Sequence, residues 1–407
     1  MIKHLEDRDF RAMRLAFVTD QFLPGDASDT VQLVSTAAGF GWHGVDVTLI
    51  MPQRGPIVPT APKIAAHYGL APDFEVLPLT GPYPAPLGFR GLEKVAHATA
   101  AARRIAALKF FDASFTRNLP TVLALLAWTR RPVFYETYRP WPTLDKKKAA
   151  LLGQLAKQRR LSGVVLSEER LIESFLDVGF PREALFLAHN GLDGRALENT
   201  LDRAEARARI QLADTRPLVV HAGQIARGVG LEELLAAAQA LPEACFALVG
   251  SLGAGPIESQ AASLPNVRVI PWLPPSQVAT WQSAADILLI PPPGERLATP
   301  TPQEVGTLLA AGRAIAAPDT AELASVLTDG ENALLYPVAS SEGLVSTLRS
   351  LLRDAGLRGA LGNRARHTAR ARTWEERAGR ILDFMVARGV EAARPHRLAV
   401  RGPRPVR

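Results

Sequence analysis

"LVVHAGQIARGVGLEELLAAAQALPEACFALVG", residues 218–250, holds the pattern that decides the fold. Its opening run, LVVHAG, is apolar, too short for a helix and closed by glycine, which marks a buried strand entering a tight loop. The stretch 230–241 then reads as a helix, and a second apolar run, CFALVG, follows it. Two strands separated by a helix form a parallel βαβ unit, because an antiparallel pair needs only a turn between its members.

The alternation continues in both directions. Downstream lie a helix at 256–263, VRVIPW, a helix at 275–284, DILLIPP, a helix at 302–311, RAIAAPD, a helix near 321–328 and ALLYP. Upstream, RLAFVTD (14–20), the helix TVQLVSTAAGFGW and VDVTLIMP come first, and then a Pro/Gly-rich stretch at 52–91. The helix LEKVAHATAAARRIAAL, the strand FDASFTR, a helix at 119–130, PVFYETY, SGVVLS and ALFLAHNG complete that half. Strands and helices in strict alternation predict α/β layering on parallel sheets. At 407 residues the chain is too long for one core and fits two ordinary domains.

The charged segment DRAEARARIQLADTRP (202–217) places the boundary near 210–216. The expected order is an N-terminal extension (1–13), a Rossmann-like domain (14–210), a second Rossmann-like domain (211–373), a helix crossing back to the first (374–390) and a basic tail (391–407). Two such doubly wound sheets are expected to face each other across a cleft, with ligands at the carboxyl ends of their strands.

Composition narrows the chemistry. The one cysteine, Cys245, sits in an apolar run, which excludes a disulfide framework and a cysteine zinc site. Eight histidines show no metal-ligand spacing, so no metal is expected. The turn VGSLGAG (249–255) lacks dinucleotide-loop spacing, and no nucleophile elbow occurs. No apolar leader opens the chain, and the longest apolar stretch, LPTVLALLAW, is about half a membrane span. A cytoplasmic location is expected.

The net charge of +7 is partly local. KKKAALLGQLAKQRR (146–160) places six Lys/Arg around an apolar helical stripe, and the tail RPHRLAVRGPRPVR holds five arginines. Such segments attract anionic lipid, or simply form a solvated helix face and a frayed tail. No aromatic-interleaved basic motif accompanies them, so nucleic acid is not an expected partner.

The ordered series VVLSEERLIESFLDVGFP, HNGLD (189–193), FALVGS, NVRVIPWLPPSQV, AADILLIP, AAGRAIAAPD, LTDGENALLYP and TWEERA resembles the family-four retaining glycosyltransferases of the GT-B fold, from about Arg14 to Phe384. The resemblance implies a nucleotide-sugar donor substrate bound by the second domain, no metal or other cofactor, and an acceptor held by the first, a glycan or lipid-linked molecule among the candidates. A diphosphate leaving group then needs cations or helix N-termini around it.

This chain departs from the family at those positions. In the loop after the first strand of the second domain, Gly223 matches, but the arginine position is Gln224 and the lysine position is Val229. Arg227 stands nearby, either as a diphosphate contact or as a surface arginine. The two family glutamates fall on Thr299 and Thr307. Thr301, Pro302 and Glu304 read as a helix-capping box, which would turn the Glu304 carboxylate onto its own helix. On the acceptor side the family's glycine pair is reduced to Gly25, a histidine position is Tyr138, either a sugar contact or cleft packing, and Arg117 ends a strand, either as an anion contact or as a surface arginine. Two readings stay open: a transferase with a rewired donor pocket that uses Gln224, Arg227, Thr299, Thr301 and Thr307, or a catalytically silent homologue that binds sugar, nucleotide or a partner.

Overall fold

The computed structural model describes residues 10–390 except 11–12, 26–27, 54–55, 57, 82–90, 199, 226–227, 229, 254, 295–299, 301 and 339. The chain folds into two units: one formed by residues 1–191 with 374–407, the other by Leu192–Thr373.

The first unit is built on β1 (Arg14–Val18), β2 (Asp46–Gln53), β3 (Glu75–Thr80), β4 (Ala113–Thr116), β5 (Val133–Thr137), β6 (Gly163–Leu166) and β7 (Leu185–Leu187). These pair in parallel, in the order β3-β2-β1-β4-β5-β6-β7. The second unit repeats the plan with β8 (Leu218–Ala222), β9 (Cys245–Ser251), β10 (Val267–Pro271), β11 (Ile287–Leu289), β12 (Ala314–Pro318) and β13 (Leu334–Tyr336), in the order β10-β9-β8-β11-β12-β13. In each sheet the order reverses between the first strand and the fourth. Helices cover both faces, so central strands such as β4, β5 and β6 are buried at every position, their polar residues Ser114, Thr116, Glu136 and Thr137 included.

Three expectations need correction. The Pro/Gly-rich stretch holds a helix, Ala61–His67, and the edge strand β3, where Pro78 is tolerated because an edge strand has an unpaired side. The helix near 321–328 is a run of turns. Asn332 accepts from the Thr328 amide at 2.8 Å and donates to the Val326 carbonyl at 3.0 Å, occupying groups that a helix would pair along its axis. The boundary falls at Leu192 rather than near 210. Helix Arg203–Arg209 belongs to the second unit because Arg203 and Arg207 both grip the buried Asp286, and Ala206 is sealed in that unit's core.

The helix Trp374–Ala387 closes the first unit against helix Ser28–Trp42. Its Arg377 is 1% exposed and donates to Glu136 at 2.5 Å, Thr36 Oγ1 at 3.1 Å and the His189 carbonyl at 3.0 Å. Burial alone would raise the Glu136 carboxyl, but Arg377 and then Arg117 pull it below the ordinary carboxylate range.

Candidate functional site

The second unit encloses a cavity of about 1050 Å³ outside the carboxyl ends of β8, β9 and β11, where the sheet order reverses. Strand β8 delivers His221 and Ala222 and the loop after it Gly223 and Gln224, while β9 delivers Val249 and Gly250. The helix Pro302–Ala311 adds Glu304, Gly306, Thr307 and Leu308.

Two glycines let the loops at the strand ends close on one another. Gly250 sits at φ +125°, and a Cβ there would lie 2.3 Å from the Gly223 carbonyl oxygen. Gly230, at φ +77°, would place a Cβ 1.8 Å from the Pro292 carbonyl oxygen. Both positions need a residue without a side chain.

His221 is the cavity's least satisfied polar group. Its Nδ1 lies 3.3 Å from the Leu289 carbonyl, which can only accept, so Nδ1 carries the proton and Nε2 presents a lone pair. That Nε2 is buried and has no hydrogen-bond partner among the described residues. Burial, opposed only by the Leu289 bond, pushes the imidazole pKa down to about 4, so the ring is neutral at pH 7. Nothing in the sequence pattern marked this histidine beyond its place at a strand end in LVVHAG.

Thr307 lines the cavity but its hydroxyl is engaged. It donates to the Glu304 carbonyl at 2.8 Å and lies 3.4 Å from Gln282 Nε2 as an acceptor. A mid-helix threonine bonds back to its own turn, so Thr307 lines the cavity with its proton already committed. Gln224 and Gly223 are exposed at the cavity wall. Arg227, Thr299 and Thr301 lie outside the described residues, as does Val229, so the capping box also falls there.

Among the described residues, charge around the cavity is not that of a strong anion site. Among the described lining residues Arg195 is the one Lys or Arg, and Asp193 chelates it at 2.9 and 3.0 Å. Asp193 and Glu304 supply negative charge. Helix Leu231–Ala240 carries Glu232 and Glu233 in its first turn, and the Gly228 amide lies 3.4 Å from Glu232 Oε1. Those carboxylates stabilise the helix N-terminus that a phosphate would otherwise face. The mouth is apolar instead, with Leu252 83% and Trp272 61% exposed beside Leu273 and Val278.

In the first unit Arg117 and Tyr138 follow the ends of neighbouring strands. The guanidinium of Arg117, after β4, lies 5.3 Å from the ring centroid of Tyr138, after β5. The expectation that Arg117 presents charge to an outside anion is corrected. Its side chain is 10% exposed, donates to the Asp29 carbonyl and to Gln32 at 3.1 Å, and lies 3.8 Å from Glu136, so the charge is matched internally. Tyr138 is half-buried between Arg117 and Arg139. Gly25 donates its amide to Tyr68 Oη at 2.9 Å, while its carbonyl accepts from Tyr68 and Thr30.

Comparison with known proteins bears on this geometry. Residues 216–354 match the family model described as glycosyl transferases group 1. Sulfoquinovosyl transferase SQD2 of Arabidopsis thaliana is 25% identical over 226 residues, 54% of this chain and 43% of that protein. The chain spans less than half of the length of the curated relatives it matches. HepE of Anabaena in complex with UDP has a TM-score of 0.61 at 15% identity, covering 92% of this chain and 100% of its own. A UDP-GlcNAc 2-epimerase of Neisseria meningitidis bound to UDP-GlcNAc has a TM-score of 0.57 at 12% identity, covering 92% and 100%. The two parallel-sheet units are those of the GT-B fold. Solved structures of that fold include a glycosyltransferase of Rickettsia africae as well as this epimerase, so the reaction must be argued from the site.

Proposed function

We propose that this protein is a group 1 glycosyltransferase that binds a nucleotide sugar in the second unit's cavity and transfers the sugar, with retention, to an acceptor on the first. The observation that carries the reading is the cavity's position. It lies outside the carboxyl ends of β8, β9 and β11, and all its lining residues except Asp193, Arg195 and Thr200 belong to the segment matched by the group 1 model. The apolar mouth at Trp272 and Leu273 suits a planar base. The lone pair on His221 Nε2 suits a hydroxyl or N–H donor from the ligand rather than a phosphate oxygen.

A second reading has its own support. The described lining offers a diphosphate one cation that is already paired, and a missing oriented charge contact typically costs on the order of 3 kcal/mol of transition-state stabilisation. On this reading the protein binds nucleotide or sugar without turnover. Isothermal titration with UDP, GDP and ADP, followed by assay of nucleotide release from the matching sugar nucleotides, separates the two. Micromolar binding with release supports the transferase, and binding without release supports the silent homologue. No heat with any nucleotide rejects the cavity as a donor site.

A further inference from the structure

The first unit carries a surface that the cavity does not explain. Helices Gly91–Leu108, Leu119–Trp128 and Lys146–Gln158 share one core on one side of its sheet and turn their other sides to solvent. Nine large apolar side chains are exposed among the described residues; four of them, Leu92, Val95, Leu123 and Trp128, belong to these helices, and a fifth, Leu144, ends the short helix Trp141–Leu144 that leads into Lys146–Gln158. Such clustering marks an interaction surface rather than scattered apolar residues.

Charge is concentrated in the same stretch. Residues 91–160 hold 14 Lys/Arg against 4 Asp/Glu, a net +10 against +7 for the whole chain, so the remainder of the chain is net −3. One of those four acids, Glu136, is buried and paired inside, and another, Asp145, caps helix Lys146–Gln158. Cations lie on the aromatic faces here: Lys148 Nζ is 3.3 Å from the Trp141 ring centroid, and the Arg103 guanidinium is 5.2 Å from that of Trp128. Arg160 donates to the Leu126 carbonyl, joining the ends of two of the helices.

We propose that this helical layer is a docking surface for an anionic lipid bilayer. Lys/Arg attract the headgroups, and leucine and tryptophan interleaved with them enter the headgroup–acyl boundary. No described helix is long and apolar enough to cross a membrane; this layer lies on one. A nucleic acid would leave the exposed leucines in water, and the layer is therefore assigned to lipid. The basic tail lies outside the described residues.

Sedimentation of the full-length protein with vesicles tests this. Phosphatidylcholine vesicles containing phosphatidylglycerol should carry the protein down, and pure phosphatidylcholine vesicles should not. Lys146→Glu/Lys147→Glu/Lys157→Glu should weaken binding at least about tenfold. Trp128→Ser/Leu144→Ser should leave a residual binding that moderate salt abolishes, whereas the wild type keeps part of its binding. Both variants should melt like the wild type and bind nucleotide like it, because the altered side chains are exposed and lie in the other unit from the cavity. No binding to anionic vesicles, equal binding to neutral ones, or preferential binding to duplex DNA with no effect of Trp128→Ser/Leu144→Ser would overturn the proposal. Failure here leaves the donor-site reading standing, and failure of nucleotide titration leaves this one standing.

Discussion

His221 holds its proton on Nδ1 and its lone pair on a buried Nε2, so its protonation couples folding to pH. The folded pKa, about 4, lies below the usual 6.5, so the unfolded chain takes up the proton first as pH falls. Its contribution to stability is complete above about pH 6.5 and is lost progressively towards pH 4, at no more than about 1.4 kcal/mol per pH unit. His97, buried with its pKa also lowered by burial, adds to the same slope, so the comparison must be between variants. His221→Gln should flatten the decline in unfolding free energy between pH 6.5 and 4 relative to the wild type, measured by urea titration. Parallel curves would show that the imidazole is not the source.

The Thr307 hydroxyl is already used within the helix, so a longer carboxylate at that position would reach into the cavity where the threonine does not. Val229→Lys/Thr307→Glu is expected to raise nucleotide affinity by about tenfold, ~1.4 kcal/mol, the order of one charge-assisted contact. Titration calorimetry reads it directly, and an unchanged affinity means that nucleotide phosphate and ribose lie elsewhere.

At the scale of the element, the helix Trp374–Ala387 is fixed by one buried pair. Arg377→Ala would leave the Glu136 carboxylate buried with Arg117 3.8 Å away as its remaining charged neighbour. Truncating one partner of such a pair costs about 3–5 kcal/mol. The double variant Arg377→Met/Glu136→Gln should recover part of that loss, because no unpaired carboxylate remains, while Arg117, without its acidic neighbour, keeps its bonds to the Asp29 carbonyl and Gln32. Equal destabilisation by both variants would place the cost in lost packing instead. The helix was readable in the sequence from TWEERA and its amphipathic spacing, but the pair was not, because its partners are 241 residues apart. The same division runs through the fold. Buried strands such as LVVHA and CFALVGS announce themselves because both faces are covered. Partly exposed β3 with its proline does not, and the false helix near 321–328 had the right spacing but the wrong side chain at Asn332. At the site, Gly223, Gln224 and Thr307 were legible through family motif positions. His221 and Trp272 were not, because a lone histidine or tryptophan has no spacing to read.

For the whole molecule, the two units differ in how the chain builds them. The second is one continuous segment, Leu192–Thr373, and among the described residues its core clusters are built from that span. The first is discontinuous. Its core takes Ala378, Ile381, Leu382, Phe384 and Met385 from beyond the second unit, together with the Arg377 pair. Cutting the chain should therefore have unequal effects. A fragment of residues 192–373 keeps both of its clusters and the whole cavity lining, so it should fold cooperatively and bind nucleotide with nearly the affinity of the full chain. A fragment of residues 1–191 exposes the core face that the last helix covers. The four larger of these side chains, at about 1.5–3 kcal/mol each, match a typical margin of stability, and Glu136 loses its Arg377 partner as well, so the fragment should fail to fold alone. Adding a peptide of residues 374–390 should restore its near-ultraviolet circular dichroism. A cooperative melt for 1–191 without the peptide would mean that the helix decorates the unit rather than completes it.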